Sequence, residues 1–204
     1  MKAGIARRLS LGLAAPQAVV LGAVAVLVTS RMEEELIDRV AESAAHSADT
    51  LEAVLREDMK DEQREALRRS VDTVGRQTGL AVVRVLDHRG RIAFSSDAAE
   101  IGRVRGLGEP QCRACHDGSD ARAADAVVGR PVVLDDSRIL RAVHPIRSAP
   151  GCVAACHAHP PERSVLWFLE VDHSLAAVDD AIWDVRLLVG LAALAALALT
   201  ILGS

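Results

Sequence analysis

Aromatic side chains are scarce in this chain of 204 residues, where they make up 2% of the sequence and include no Tyr. This scarcity excludes the rows of stacking aromatics that bind single-stranded nucleic acids. An excess of positive charge is also lacking, because the formal net charge is −4. Nucleic-acid binders use surplus Lys and Arg to neutralise phosphates, so we expect no nucleic acid among the partners.

Two long segments, one near each end of the chain, lack charge altogether. No charged residue occurs from 9 to 29 or from 187 to 204. About 20 apolar helical residues match the hydrocarbon core of a bilayer, so we predict transmembrane helices at 9–30 and 187–204. Basic residues precede the first segment and acidic residues follow it, which places residues 1–8 in the cytoplasm. A cleaved signal peptide is the alternative for the first segment.

The middle of the chain has the composition of a soluble domain. Residues 31–186 carry all 28 acidic and 21 of the 24 basic residues, a net charge of −7. This length allows one medium-sized domain. We predict a periplasmic domain held by lipid contacts at the bacterial inner membrane.

Helical periodicity dominates the start of this domain. In residues 31–77, apolar residues recur at spacings of mostly three, four or seven, with no Pro and a single Gly at position 75. The pattern predicts one long helix, about 65 Å in length if continuous. Such a helix packs either on its own domain or against a second copy. We slightly favour the second copy, and expect a homodimer through this helix and the transmembrane segments.

Alternating apolar residues then predict antiparallel strands, of which the first four form two hairpins. The predicted strands are 80–87, 91–95, 131–134, 139–146 and 164–171. Residues 173–186 form an amphipathic pattern typical of a helix that leads out of the domain. Helices that flank an antiparallel sheet define an α+β fold.

All four cysteines lie in two short motifs, and the first is the C-x-x-C-H string of Cys112, Cys115 and His116. This string is the attachment signature of haem c. Its thiols reach the two vinyl groups of the porphyrin, and its imidazole ligates the iron. Half of a zinc site and a redox-active cysteine pair are the alternatives.

The second motif is one residue wider and consists of Cys152, Cys156 and His157. The extra residue can bulge, so both thiols still reach one porphyrin, and we predict a second haem c here. A disulfide between the two cysteines and a zinc site that pools both motifs are the alternatives. Two haems c per chain would require the c-type cytochrome maturation machinery as a partner.

A six-coordinate haem also needs a distal ligand, for which His is a usual choice. His144 lies at the end of a predicted strand, eight residues before the second motif. We assign it tentatively as a distal ligand. The alternative is a histidine that only makes a hydrogen bond at the strand end.

Four strings together carry a family resemblance: GRIAFSSDAAEIG (90–102), QCRACH (111–116), LRAVHPI (140–146) and CVAACHAHPPERSVLWFLEV (152–171). They resemble the haem-bearing periplasmic sensor region of bacterial two-component histidine kinases, a design that chemoreceptors share. The resemblance implies a PAS/Cache-like antiparallel sheet with haem-binding loop insertions, flanked by two transmembrane helices. Such regions continue into a kinase domain, so we expect this chain to be the sensor portion of a longer kinase or chemoreceptor.

The expected function is therefore a membrane-anchored haem c sensor of redox state or small gases. We expect no enzyme activity, because the sequence contains no nucleophile–base arrangement and no phosphate-binding loop. The alternative is a membrane-anchored dihaem c electron-transfer protein. Strand-rich patterning between residues 80 and 171 favours the sensor, because a carrier of this kind consists mostly of loops around its haems.

Overall fold

The computed structural model describes residues 2–60, 64–87, 89–106, 127–129, 131–134, 136–147 and 165–202. These residues belong to two compact units. One unit contains residues 1–38 and 177–204, and the other contains residues 39–176. Both predicted haem motifs, with their four cysteines and the adjacent histidines, lie outside the described residues.

The described helices and strands follow the chain in an α–β–α order. The helices are α1 (Lys2–Lys60), α2 (Arg64–Gly75) and α3 (Ala176–Leu202). The strands are β1 (Leu80–Asp87), β2 (Ile92–Ser95), β3 (Val127–Val128), β4 (Val132–Leu134), β5 (Ser137–Arg147) and β6 (Val165–Ser174). A single 3₁₀ turn at Ala98–Glu100 follows β2, and the side chain of Asp97 accepts a hydrogen bond from the Ala99 N–H at its start.

The strands form one antiparallel sheet with the order β2-β1-β6-β5-β3, and β4 also pairs with β5. The predicted mixture of helices and antiparallel strands is confirmed, as are the two hairpins, β1–β2 and β4–β5. Strand β6 comes last in the sequence but lies between β1 and β5. The two residues of β3 were not predicted, because so short a strand shows no alternation.

The hydrophobic core of residues 39–176 is formed by side chains from one face of the sheet and from the helices α1 and α2. Alternate strand residues belong to this face because successive side chains point to opposite sides of a strand. The core residues are Leu51 and Leu55 of α1, Leu67 and Val71 of α2, and Val83, Val85, Phe94, Ile146, Leu169 and Val171 of the sheet.

The structure describes the predicted long helix as two helices, because α1 ends at Lys60 and α2 begins at Arg64. Leu55 and Leu67, one from each helix, are buried in the same core cluster. Residues 61–63, between the two helices, lie outside the described residues.

Part of the apolar stripe of α1 packs on its own domain. Ala44, Ala48, Leu51 and Leu55 recur at helical spacing and are at most 8% exposed. His46, on another face of the helix, is exposed. Leu51 and Leu55 belong to the core shared with the sheet, so packing on its own domain, one of the two interpretations, applies to these two residues. The homodimer stays a prediction.

The other unit contains the first part of α1 and most of α3. Large apolar side chains are exposed on both segments, such as Val19 at 71% and Leu199 at 72%. Among the described residues, neither helix has a stretch long and apolar enough to cross a membrane. The transmembrane helices at 9–30 and 187–204 stay predictions. The predicted exit helix, 173–186, begins in the structure at Ala176 and continues without a break to Leu202.

We expect Gly75→Ala to destabilise the domain, because the last residue of α2 lies directly against Ser96, which follows β2. A Cβ atom at Gly75 would lie 2.2 Å from the Cβ of Ser96. The Ser96 side chain cannot simply move, since its Oγ accepts a hydrogen bond from the Val83 N–H at 3.0 Å. Overpacking of this kind costs about 1–3 kcal/mol, which a urea unfolding curve of the variant would measure.

The matched control for this change is Gly106→Ala. Among the described residues, a Cβ atom at Gly106 has no neighbour within 4 Å, and Gly106 does not have a positive φ. This variant should unfold at nearly the wild-type urea concentration. Equal losses of stability in the two variants would contradict the close contact between Gly75 and Ser96.

Candidate functional site

The described residues that flank the two cysteine motifs lie toward one end of the sheet. Arg147 and Val165, on either side of the second motif, pair with each other in β5 and β6. Arg105, shortly before the first motif, donates its backbone N–H to the carbonyl of Gly90, in the β1–β2 turn at the same end. Beyond this motif, Val127 opens β3, which runs away from that end along β5. The fold thus anchors both motif-bearing segments at a common end.

His144 is the predicted iron ligand that the structure describes, and it lies on the sheet face covered by α1. Its Nε2 is 2.7 Å from Oε2 of Glu52 and 3.6 Å from Oδ1 of Asp49. The side chains of His144 and Glu52 are 12% and 15% exposed. Asp49 and Glu52 are three residues apart on α1, so both carboxylates face β5 from one side of the helix.

This placement bears on the role of His144 as a distal ligand. A ring nitrogen must offer a free lone pair to ligate iron, and Nε2 already makes a hydrogen bond to Glu52. The other nitrogen, Nδ1, is buried with no hydrogen-bond partner in the described part of the chain. Ligation through Nε2 would require the bond to Glu52 to break. The hydrogen bond to Glu52 agrees with the alternative, a histidine that only makes a hydrogen bond at the strand end. Distal ligation of iron by His144 stays a prediction.

The opposite face of the sheet carries a cluster of buried charges that we call the charge cluster. It consists of Arg84, Glu100, Arg105, Arg141, Glu170 and Asp172. Arg84 in β1 is completely buried, and Glu170 and Asp172 in β6 are 2% and 1% exposed. These three residues alternate with core residues along their strands, so they point away from the helices.

Arg84 lies at the centre of this cluster. Its Nη1 donates to Oε1 of Glu170 at 2.9 Å and also to Oδ2 of Asp172. Its Nη2 donates to Oε1 of Glu100, in the 3₁₀ turn, at 2.9 Å. Arg84 therefore ties β1 to β6 and to the turn after β2.

The two other arginines of the cluster complete its charge balance. Arg141 in β5 donates through Nη2 to Oδ2 of Asp172 at 2.8 Å. Nη2 of Arg105 lies 3.4 Å from Oε1 of Glu170. Three cations thus meet three carboxylates, and each arginine bonds a carboxylate of the cluster. This arrangement is suited to fixing strands in place, because Arg84, Arg141 and their carboxylates bond one another across β1, β5 and β6.

The two carboxylates of β6 respond differently to the same surroundings. Burial alone raises the pKa of both groups. For Asp172, hydrogen bonds from Arg141 and the charge of Arg84 outweigh burial, and the pKa is lowered overall. For Glu170, burial outweighs the charges of Arg141 and Arg84, and the pKa is raised. Asp172 is therefore the carboxylate whose charge the cluster holds more firmly.

Burial also opposes the charge of the arginines, but their partners prevail. The pKa of Arg84 is raised despite burial, because Glu100 and Asp172 accept hydrogen bonds from it. The pKa of Arg141 is raised for a similar reason, through Asp172. The arginines stay charged, so they are fixed positive charges rather than proton carriers.

Sequence analysis did not find the charge cluster, although the strands contain a signal for it. Arg84, Arg141, Glu170 and Asp172 each interrupt an otherwise apolar strand. Alternation alone assigns such residues to a solvent-facing side. Opposite charges on strands that pair would have indicated the cluster, but the pairing of β6 with β1 and β5 was not predicted.

The different behaviour of the two β6 carboxylates predicts different costs for their neutral replacements. We expect Asp172→Asn to lose about 3 kcal/mol of unfolding free energy, because it removes the carboxylate that bonds both Arg84 and Arg141. Glu170→Gln should lose about 1 kcal/mol or less, because burial already disfavours the charge that the amide removes. Urea unfolding of the full chain at pH 7 measures both.

The pH dependence of the two variants provides an independent check. The lowered pKa of Asp172 means that the unfolded chain takes up this proton first, so its contribution is present above about pH 4 and is lost as the pH falls further. Asp172→Asn should lack this loss. The control is Asp136→Asn, in an exposed turn, which should match the wild type. Equal losses of unfolding free energy in Asp172→Asn and Glu170→Gln would contradict the assignment of Asp172 as the more firmly charged carboxylate.

Comparison with known proteins gives matches in structure but not in sequence. No family model matches the sequence, and no curated protein does. The sensor domain of the Vibrio cholerae histidine kinase DctB superposes with a TM-score of 0.53 and 15% sequence identity, over 79% of this chain. The ligand-binding domain of the Pseudomonas aeruginosa PAO1 amino acid chemoreceptor PctC, in complex with GABA, gives a TM-score of 0.41 and 17% identity, over 82% of this chain.

The match covers a part of the neighbour rather than the whole. The chain spans 58% of the length of the DctB sensor-domain chain and 63% of that of PctC. One neighbour is described as a sensor domain and the other as a ligand-binding domain. At this level of identity the likeness to DctB shows a common fold: this chain has the mixed helix and antiparallel-sheet fold of a histidine kinase sensor domain.

Proposed function

We propose that this chain is a periplasmic sensor module, the input part of a histidine kinase or chemoreceptor. The observation that carries the proposal is the fold, an antiparallel sheet with two helices on one face, because the DctB sensor domain superposes over 79% of this chain. The two cysteine motifs in the sequence support haem c as the cofactor, because both have the thiol and imidazole donors that haem c requires.

The donors for this cofactor come from the motifs themselves. Cys112 and Cys115 would hold the first haem, with His116 as ligand, and Cys152, Cys156 and His157 would serve the second. Haem c supplies an iron that changes its oxidation state or binds a small gas. The common anchoring of the flanking residues at one end of the sheet supports two neighbouring sites.

The proposal also includes a location for the protein, at the inner membrane. Two transmembrane helices, 9–30 and 187–204, would hold residues 31–186 on the periplasmic side of the inner membrane. The uncharged sequence of both segments supports this proposal, as do the exposed apolar side chains of α1 and α3. Homodimerisation through the membrane segments and α1 completes the proposal.

The alternative is a membrane-anchored dihaem c electron carrier. Its support is the same pair of cysteine motifs. The six-stranded sheet formed by the described residues favours the sensor, because a carrier of this size needs little structure beyond its haem-binding loops. Reduction that changes the output of a kinase domain encoded with this chain would support the sensor. Electron transfer with no such output would support the carrier.

We expect two covalent haems per chain when the protein is expressed with the c-type maturation machinery. A pyridine haemochrome spectrum and the intact mass measure the type and number together. Cys112→Ala and Cys156→Ala should each remove one haem. A mass without added porphyrin would contradict the proposed cofactor.

A single haem would assign the second motif differently. Cys112→Ala would then abolish the haem signal, and Cys156→Ala would leave it intact. This result would support a disulfide between Cys152 and Cys156. Alkylation of the unreduced chain should then add no mass, whereas alkylation after reduction should add two alkyl groups.

A further inference from the structure

A buried histidine lies where the sheet gives way to the last helix. His173 is the second-to-last residue of β6, and α3 begins at Ala176. Its side chain is 7% exposed. In the sheet its partners are Leu80 of β1 and Leu140 of β5. His173 thus lies near the end of the central strand, beside apolar residues of both neighbouring strands.

The imidazole is suited to its site only in the neutral form. Its Nε2 is buried and has no hydrogen-bond partner in the described part of the chain. In the neutral ring one nitrogen carries no proton, whereas in the imidazolium ion both nitrogens are donors. Protonation would therefore place a charge and an unsatisfied N–H in the interior, and both are costly.

Nearby charge does little to relieve that cost. Burial lowers the pKa of His173, and the negative charge of Asp172 opposes this effect without overcoming it. Asp172 is the one described group whose charge acts on the imidazole. It points to the other face of the sheet, where Arg84 and Arg141 bind its carboxylate.

Two backbone hydrogen bonds hold the chain directly after His173. The Ser174 N–H donates to the carbonyl of Gly79 at 2.9 Å, and the Leu175 N–H donates to the carbonyl of Arg138 at 3.0 Å. Leu175 is completely buried. These contacts fix the point at which α3 leaves the sheet, and an outward movement of His173 would strain both hydrogen bonds.

We propose that His173 is an acid-sensitive switch at the junction of β6 and α3. At neutral pH the uncharged imidazole stays buried and the junction is closed. Acidification favours an open junction in which the imidazolium ion reaches water. The switch needs no haem, so it is independent of the cofactor proposed above.

Hydrogen exchange of the full chain tests this proposal. The amides of Ser174 and Leu175 are followed between pH 7.5 and 5, and the rates are corrected for the intrinsic pH dependence of exchange. Below about pH 6.5 the open form binds one proton more than the closed form. The opening constant should rise as the pH falls, by at most about tenfold per pH unit.

Two variants distinguish His173 from other titrating groups. His173→Leu should show no pH-dependent opening, whereas His46→Gln, which changes an exposed histidine on α1, should behave like the wild type. The same dependence in His173→Leu and wild type would overturn the proposal. Should His173→Leu fail to fold, NMR titration of the wild-type imidazole decides. Titration of the ring near the ordinary pKa of about 6.5 would overturn the proposal. Titration at lower pH, together with the pH-dependent opening, would support it.

Discussion

The burial of Arg84 constrains the centre of the sheet more than any other single interaction described here. A completely buried guanidinium is costly unless carboxylates meet it, and Glu170 and Asp172 do so only when β6 lies beside β1 in the observed register. A shift by one residue would turn these carboxylates to the helix-covered face. The charge cluster therefore selects one register, while the apolar core supplies most of the driving force.

Much of the local structure was predictable from the sequence. The bounds of β1 were predicted at 80–87 and found at Leu80–Asp87, because alternating apolar residues mark both strands of the first hairpin. The strand order was not predictable in this way. Alternation shows which residues share a face, but it contains no information on which strands are neighbours, so the central place of β6 emerged only in the structure.

The candidate site was predictable to a smaller extent, for physical reasons that differ between its parts. Cysteine spacing identifies a haem motif without any fold, because the thiols and the imidazole are close in sequence. The partners of His144 come from α1, about 90 residues earlier in the chain, and no local pattern joins such distant positions. The buried state of His173 likewise depends on β1 and β5, which are remote from it in sequence.

The central position of the last strand sets an order on the assembly of the domain. Strands β1 and β5 do not pair with each other, and each needs β6 as its neighbour. Until residues 165–174 have been synthesised, the strands can form only two separate pieces, β1 with β2 and β5 with β3 and β4, and the sheet is incomplete. Both cysteine motifs precede β6 in the chain. Chemistry at those cysteines can therefore take place while the sheet is still open, and the final strand closes the domain afterwards.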